Sequence, residues 1–284
     1  MRAERARRLV MIGRAPGTSG LCSERRAGRG APPARSGPGA TWAREIRLPS
    51  GYAARPIWSR PRMDSLSLIL DTFAPIAGRR ILDIGCGPGI LAKALAAEGA
   101  AVTGIDPGEA AIRAARSRVP AGRFEQASAE ALPFPDAGFD GAVILNALHH
   151  VPDPRAALAE AARVVGPDRP IVVVEPLAEG SFFAALKPIE DETEIRAAAQ
   201  AAIAAAIASG AFACRRDVTF ARHETFADLP AFLARVTAVD PARQAAIEAD
   251  ADGIAAAFEA AATRTPAGYG LTQPLRAHIL VPAA

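Results

Sequence analysis

The chain of 284 residues has few cysteines, few aromatic residues and no long uninterrupted apolar run. Its three cysteines, Cys22, Cys86 and Cys214, are widely spaced and odd in number, which argues against a disulfide framework and favours a reducing compartment. No stretch approaches about 18 consecutive apolar residues, and the N-terminus lacks an apolar run that ends in a small-residue cleavage site. The sequence therefore predicts a cytoplasmic protein without a membrane-spanning or Sec-type export segment.

Histidine is also scarce, and the arrangement of the four histidines does not indicate a metal site. His149 and His150 are adjacent, so on a helix or a strand we expect them to project in different directions, and no cysteine stands near them. The sequence therefore predicts no bound metal.

The net charge of +3 conceals a basic first part and an acidic second part. Residues 1–62 contain 14 Arg, no Lys and 3 Glu, whereas residues 63–284 contain 19 basic and 27 acidic residues. Because the second part is acidic, the positive net charge gives no indication of a nucleic-acid-binding surface on it. We expect neither a nucleic acid nor a membrane as a partner.

Residues 1–62 also contain 8 Gly and 7 Pro, and they show no apolar periodicity. Such a segment cannot bury enough apolar surface to offset the entropy lost on ordering it. We predict a disordered extension rich in Arg, Gly and Pro, which a start codon placed too early would explain if Met63 is the true first residue. The alternative is an arginine-rich arm that serves targeting or binds a polyanion.

From Met63 onward, short apolar runs alternate with helical patterns. The predicted strands are 81–84, 101–105, 124–127, 142–145, 171–174, 217–220 and 278–281. The predicted helices are 66–73, 89–98, 109–118, 154–165, 191–208, 226–237 and 241–262. The alternation predicts one α/β domain over 63–284, with a doubly wound, mostly parallel seven-stranded sheet and helices on both faces. The segment 226–264 is predicted to be a helical insertion that covers an acceptor site.

The most informative segment is 81–89, in which a predicted buried strand ends in glycines at positions 85, 87 and 89. Glycine lets a ligand approach the backbone closely. The spacing typical of dinucleotide-binding folds would need a glycine where Ile90 stands, and the Asp83 carboxylate would repel a pyrophosphate. This segment instead favours a ligand that carries an ammonium and a sulfonium group.

Asp106 ends the second predicted strand, 17 residues beyond Gly89. In nucleoside-binding sheets, an acidic residue at this place accepts hydrogen bonds from both ribose hydroxyls. An aspartate after a strand commonly caps a helix instead, but the glycine loop upstream favours the ribose role.

Several segments in fixed order together resemble a known family: DIGCGPG, GIDP, SAEALPFPDAGFD, NALHHVPDP and VVVVEP. The order resembles that of class I, Rossmann-like S-adenosylmethionine-dependent methyltransferases, in particular the type 11 enzymes related to ubiquinone and menaquinone biosynthesis. The resemblance extends over about 81–176. It implies S-adenosylmethionine as the cofactor and methyl transfer to a small-molecule acceptor.

The resemblance also assigns ten residues to the cofactor: Asp83, Gly85, Cys86, Gly87, Asp106, Pro107, Ser128, Ala129, Glu130 and Asn146. The first four would surround the methionine part, Asp106 would hold the ribose, and Pro107 would lie against the adenine. Residues 128–130 would face the adenine edge, and the backbone of Asn146 would lie near the amino acid end. The family commonly has Gly-Asp where this chain has Ala127-Ser128, so the adenine contact is expected to depend on Glu130 and backbone groups.

His149 and His150 are the candidate catalytic residues. Methyl transfer displaces an activated sulfonium, so the protein mainly aligns the acceptor and excludes water. A phenol or enol acceptor would still benefit from a general base, and the two histidines directly follow the fourth strand. The alternative interpretation is structural, with one histidine packed beneath a helix and the other exposed.

Other functions remain open at this point. The step Asn146-Ala147-Leu148-His149 lacks the Asn/Asp-Pro-Pro-aromatic pattern of amino methyltransferases that act on adenine or glutamine, which disfavours nucleobase methylation. A catalytically silent S-adenosylmethionine-binding regulator or scaffold would carry the same cofactor motifs. A dinucleotide oxidoreductase is a third alternative.

Overall fold

The computed structural model describes residues 63–283. The predicted extension 1–62, and with it the interpretation of Met63 as the first residue, lies outside the described residues. The strands are β1 (Arg80–Ile84), β2 (Ala101–Asp106), β3 (Arg123–Gln126), β4 (Gly141–Leu145), β5 (Ile171–Pro176), β6 (Phe212–Phe226), β7 (Thr263–Thr265) and β8 (Gly268–Pro282).

Nine α-helices and one short 3₁₀ turn accompany these strands within residues 63–283. The helices are α1 (Ser65–Thr72), α2 (Ile90–Ala97), α3 (Glu109–Arg118), α4 (Pro154–Val165), α5 (Ser181–Leu186), α6 (Thr193–Ala208), α7 (Leu229–Thr237), α8 (Arg243–Ala249) and α9 (Ala251–Ala261). The 3₁₀ turn is Leu148–His150, directly after β4. None of the helices in this part of the chain has the length and apolar character needed to span a membrane.

The strands form one sheet in the order β3-β2-β1-β4-β5-β8-β6, and the short β7 pairs with β8. Strands β1 to β5 are parallel, whereas β8 runs antiparallel to β5, β6 and β7. The predicted doubly wound, mostly parallel sheet is confirmed. The three-residue β7, which is exposed throughout, was not predicted.

Helices cover both faces of the sheet, because alternate residues of each central strand point to opposite sides. On one face, Leu82 and Ile84 of β1 belong to the same buried cluster as residues of α4 and α6. On the other face, Ile81 lies in a second cluster with residues of α1, α2 and α3. These two buried layers hold the parallel strands side by side, so that their carboxyl ends lie along the same end of the sheet.

Strands β6 and β8 are much longer than the sequence pattern predicts. Each has 15 residues, whereas the predicted strands 217–220 and 278–281 have four. Strand β6 alternates between exposed and half-buried positions, so its charged residues hide the apolar signal of an ordinary strand. The predicted helix 241–262 is also two helices, because Asp250 interrupts it and caps α9 by accepting a hydrogen bond from the Gly253 amide at 3.0 Å.

The extra length of β6 and β8 supports a small third core beyond the carboxyl end of β5. Strand β5 pairs only with residues 275–280 of β8, so residues 268–274 continue past the end of β5 while still paired with β6. Phe226, Phe232 and Phe258 form the aromatic centre of this core, with ring centroids 5.3–5.5 Å apart in successive pairs. Helices α7 to α9 thereby lie between β6 and β8, within the segment 226–264.

Candidate active site

Hydrogen bonds hold the glycine loop after β1 against β2, and open space remains next to Gly87 of this loop. The amides of Gly85 and Cys86 donate to the carbonyl oxygen of Ile105 at 2.8 and 2.9 Å. A Cβ atom at Gly85 would come within 2.5 Å of the Ala147 Cβ, so only glycine permits this packing. A Cβ atom at Gly87 would meet nothing within 4 Å, so this position faces open space that a ligand could occupy.

Asp106 joins the glycine loop to the start of α3. One carboxylate oxygen accepts a hydrogen bond from the Gly87 amide at 3.0 Å, and the other accepts from the Gly108 amide at 2.8 Å. Gly108 is the N-cap residue of α3. Because a carboxylate offers about four lone-pair sites, these two bonds leave acceptor capacity for a bound hydroxyl. The helix-start and ligand-binding interpretations of Asp106 are therefore compatible.

Asp83 is a buried carboxylate that forms no ion pair within residues 63–283. Its side chain is almost completely buried, and its Oδ2 atom has no hydrogen-bond partner among the described residues. Burial raises the pKa of Asp83 to about 7, and repulsion from Asp106 adds to the effect. A buried polar atom without a partner is costly in free energy. An ammonium group of a ligand would satisfy this oxygen, so the site fits a cationic cofactor.

Residues 128–130 connect the loop after β3 to the start of α4 through hydrogen bonds. The Ser128 hydroxyl donates to the Glu130 carboxylate, whose other oxygen accepts from the Asp153 amide at 2.9 Å. These two hydrogen bonds, from Ser128 first and Asp153 second, lower the pKa of Glu130. Ala129 between them is buried. Glu130 thus connects the loop after β3 to the N-terminus of α4, and the adenine role of residues 128–130 stays a prediction.

The segment after β4 is organised by Glu175, the fifth residue of β5. Its carboxylate accepts from the amides of Ala147 and Leu148 at 3.0 and 2.9 Å, and it lies 2.5 Å from Nδ1 of His149. The Nε2 atom of His149 lies 4.0 Å from the Glu192 carboxylate. The His149 amide also donates to Glu175 at 3.3 Å, so four contacts with one buried carboxylate fix the 3₁₀ turn and the orientation of the His149 ring.

His150 lies beside His149, with ring centroids 4.0 Å apart and the planes tilted by 41°. The expectation that the adjacent histidines project differently assumed a helix or a strand, whereas they lie in a 3₁₀ turn in which their rings are neighbours. His149 is buried and His150 is exposed, as the structural alternative expected. Partial burial, with a smaller effect of His149, lowers the pKa of His150, so its imidazole is neutral at pH 7.

A cavity of about 140 Å³ opens beside the two histidines. Asn146 and Pro176, at the ends of β4 and β5, form part of its wall, and the Oδ1 atom of Asn146 is buried without a hydrogen-bond partner among the described residues. The charged residues of the wall are Glu192, Arg196, Arg222, Arg235 and Arg243. The cavity thus adjoins the carboxyl ends of β4 and β5 and the histidine turn.

Comparison with known proteins agrees with this geometry. A family model described as a methyltransferase domain matches residues 82–173, which extend from β1 into β5 and include the glycine loop, Asp106 and the histidine turn. Residues 82–173 thus match a methyltransferase domain. The resemblance predicted from the motifs is confirmed, and the cofactor of this domain family is S-adenosylmethionine.

Relatives of the methyltransferase domain include a ubiquinone biosynthesis O-methyltransferase from Thiobacillus denitrificans. It is 45% identical over 103 residues, which cover 34% of this chain and 44% of that protein. The chain thus matches less than half the length of such curated relatives. A candidate methyltransferase from Bacillus halodurans superposes with a TM-score of 0.57 at 19% identity, covering 78% of this chain and 99% of that one. The YcgJ protein from Bacillus subtilis gives 0.53 at 22% identity, covering 77% and 98%. At these identities, the structural likeness is one of fold.

The methyltransferase domain brings most of the predicted residues to one edge of its sheet. Direct hydrogen bonds connect the glycine loop to Ile105 and Asp106, and Gly85 packs against Ala147 of the turn after β4. Gln126 adds a hydrogen bond from its side chain to the Pro107 carbonyl oxygen at 2.9 Å. The residues of 128–130 bond to one another and to Asp153 instead.

Sequence reasoning missed the charged residues that surround the histidines. The charged ones are Glu175, Glu192, Arg196, Arg222, Arg235 and Arg243, and the neutral Gln273 lies among them. Only Glu175 had a visible signal, since it is a charged residue at the end of the apolar run 171–174. The others come from α6, β6, α7, α8 and β8, whose meeting point no local pattern specifies.

His149, His150 and Glu192 offer ligand atoms that all lie within 4.8 Å of one another. Such a group could in principle hold a metal ion. However, the Glu192 carboxylate already accepts from Arg196 at 2.8 Å and from Arg243 at 2.9 Å, and both guanidinium groups would repel a cation. The absence of a metal from the reaction stays a prediction.

Proposed function

We propose that this chain transfers a methyl group from S-adenosylmethionine to a small-molecule acceptor, and that it does so in the cytoplasm without a nucleic acid as partner. The observation that carries the proposal is one shared edge of the sheet. There Gly87 faces open space, and the Oδ2 atom of Asp83 has no hydrogen-bond partner among residues 63–283. Gly85 of the same loop packs against Ala147, directly before the turn whose histidines line the cavity. A cofactor site beside an acceptor-sized cavity is what methyl transfer needs.

Ten residues would hold the cofactor. Asp83 would neutralise the ammonium group, while Gly85, Cys86 and Gly87 would leave room for the methionine part. Asp106 would accept from the ribose hydroxyls, Pro107 and residues 128–130 would border the adenine, and Asn146 would lie near the amino acid end. Bound S-adenosylmethionine supplies a methyl group that its own sulfonium has already activated.

His150 would act as the general base for a hydroxyl acceptor. Its imidazole borders the cavity and is neutral at pH 7, so it can accept the proton that a phenol or enol loses. Its exposed edge would let that proton pass to solvent afterwards. His149, which Glu175 holds in place, would position His150 through the contact between their rings.

The proposal is tested with methyl-labelled S-adenosylmethionine and a small-molecule extract of the native organism. The label should appear in an extracted product when the protein is present. Binding of the cofactor without any labelled product would instead establish a silent regulator or scaffold. Mass spectrometry of the cofactor that copurifies with the protein would detect a dinucleotide if the protein were an oxidoreductase.

Replacing Asp106 with alanine should weaken S-adenosylmethionine binding by about tenfold to a hundredfold, because charge-assisted hydrogen bonds to the ribose are lost. Isothermal titration calorimetry measures the change. The exposed Asp71 on α1 provides the matched control, since Asp71→Ala removes the same charge away from the glycine loop and should leave the affinity unaltered. Equal affinities of Asp106→Ala and the unaltered protein would contradict the assigned ribose role.

The affinity for S-adenosylmethionine should also rise as the pH increases from 6 to 7.5. Because the pKa of Asp83 is about 7 without a ligand, its carboxyl is mostly protonated at pH 6 and cannot neutralise the cofactor's ammonium group. Ionisation through this range should increase the affinity by about tenfold. Titrations of Asp83→Asn, which has no carboxyl to ionise, should show weaker binding and a nearly flat pH dependence. An equally steep dependence in that variant would assign the titration to another group.

A further inference from the structure

The wall of the acceptor cavity is rich in arginine. Four guanidinium groups line it, those of Arg196, Arg222, Arg235 and Arg243, whereas Glu192 is the only carboxylate among its lining residues. Positive charges gathered around a cavity raise the local concentration of anions and favour an anionic ligand.

Two of these arginines are fully engaged in the protein. Arg196 donates to Glu192 at 2.8 Å and to the Leu177 carbonyl oxygen at 2.9 Å. Arg243 donates to Glu190 at 2.6 Å and to Glu192 at 2.9 Å. Because both side chains are buried and have several partners, they serve the structure of the wall.

The other two arginines share one carboxylate. Arg235 donates to Glu224 at 3.2 Å. The Nε atom of Arg222 forms an ion pair with the other oxygen of Glu224 at 2.8 Å, and about a third (34%) of the Arg222 side chain is exposed. The terminal nitrogens of this partly exposed guanidinium can therefore donate to a ligand.

The position of Arg222 also suits a ligand. Its guanidinium lies 5.5 Å from the centre of the Phe182 ring, which itself lines the cavity. The surrounding protein lowers the pKa of Arg222, chiefly through burial, and the nearby Glu224 carboxylate only partly opposes this effect. An anionic ligand beside Arg222 would stabilise its partly buried positive charge and so raise its pKa again.

Size and charge narrow the class of ligand further. A cavity of about 150 Å³ holds one benzene molecule, so 140 Å³ accommodates a body of about one ring. Phe182, Leu186 and Val236 provide apolar surface for that body. At the Arg222 end of the cavity, Arg222 and Arg235 share the single carboxylate of Glu224, which leaves one positive charge there without a partner among the described residues. One unmatched charge suits a monoanion better than a phosphate dianion.

We infer that the methyl acceptor is a single-ring compound with a carboxylate group, and that Arg222, supported by Arg235, binds this carboxylate. The inference rests on the proposed function, because it assigns the cavity to the acceptor. A guanidinium binds a carboxylate through two parallel hydrogen bonds, which gives orientation as well as affinity. Recognition at the Arg222 end would direct the rest of the ring towards the histidine side of the cavity.

The inference can be tested without knowing the natural acceptor. The full chain is saturated with S-adenosylhomocysteine and titrated calorimetrically with 3,4-dihydroxybenzoate, its carboxamide, and the corresponding phenyl phosphate. We expect the carboxylate to bind at least about tenfold more tightly than the amide and the phosphate. In Arg222→Gln this preference should fall about tenfold, and Arg235→Gln should reduce it in the same direction.

Arg264→Gln is the matched control, since Arg264 is an exposed arginine on β7 that pairs with Glu259, and it should keep the full preference. Equal binding of acid and amide, binding of neither, tighter binding of the phosphate, or an undiminished preference in both Arg222→Gln and Arg235→Gln would each overturn the inference. Failure of S-adenosylhomocysteine to bind in the first step would instead overturn the proposed function together with it. The two failures are therefore seen in different titrations.

Discussion

Replacing Arg196 with alanine should lower the free energy of unfolding by about 3–5 kcal/mol. Arg196 is buried, and its guanidinium lies within 2.8 Å of Glu192, which is buried as well. Removing the arginine leaves the carboxylate with Arg243 alone and frees the oxygen atoms of Leu177 and Gln273 that Arg196 contacts. Urea unfolding followed by circular dichroism measures the loss.

Arg264→Ala provides the comparison, because the pair of Arg264 with Glu259 is exposed and should contribute at most about 1 kcal/mol. A loss as small as this for Arg196→Ala would show that the buried network adds little to stability.

The dependence of stability on pH provides a second readout of the same network. Burial alone would raise the pKa of Glu192, but attraction to Arg196 and the hydrogen bond from it, with smaller effects of His149 and His150, together hold the pKa below its usual range. A depressed pKa stabilises the folded state above the ordinary glutamate value of about 4.3, and this contribution is lost as the pH falls below it. In Arg196→Ala this acid-side loss should be smaller. An identical acid-side slope in both proteins would contradict the assigned interaction.

Replacing His150 with glutamine should reduce kcat by about 10²- to 10⁴-fold while leaving the cofactor affinity unchanged. Glutamine retains hydrogen-bonding groups but cannot accept a proton near pH 7. The rate is followed as release of S-adenosylhomocysteine with the acceptor found in the labelled extract. His223→Gln is the matched control, because His223 lies on β6 and is bonded to Thr272 at 2.9 Å.

The pH profile separates a chemical from a structural role of His150. Since the pKa of His150 is lowered, kcat of the unaltered protein should fall only as the pH drops below the ordinary histidine value of about 6.5. His150→Gln should lose this acidic limb. If His150→Gln keeps more than about a tenth of kcat and the same pH profile, His150 has only a structural role in the turn after β4.

The relative orientation of the two adjacent histidines could not be predicted from the sequence. Their presence after the fourth strand was visible, but their relative orientation depended on the 3₁₀ turn that the Glu175 carboxylate holds through the amides of Ala147 and Leu148. Glu175 lies 25 or more residues away along the chain, in the next strand of the sheet. Side-chain directions in such a turn follow from a tertiary contact rather than from a helical or strand period.

The long strands β6 and β8 show a similar limit for the fold. Parallel strands buried on both faces appear in the sequence as continuous apolar runs, and 142–145 and 171–174 were accordingly predicted within two residues of their observed ends. Strand β6 stands at the edge of the sheet with exposed charged residues, so its pairing with β8 determines its length. Pairing between residues 212–226 and 268–282 is a long-range property that no window of sequence contains.

The sequence by itself determined the alternation of strands and helices, the glycine loop, Asp106 and the methyltransferase resemblance. All of these depend on neighbouring residues, whose spacing fixes the local backbone and the residues that follow each strand. Only the tertiary structure decided the burial of Asp83, the pairing of Glu175 with His149 and the arginine wall of the cavity. Desolvation and ion pairing depend on what surrounds a group in space. Residues as distant along the chain as Arg196 and Gln273 become neighbours only in the folded structure.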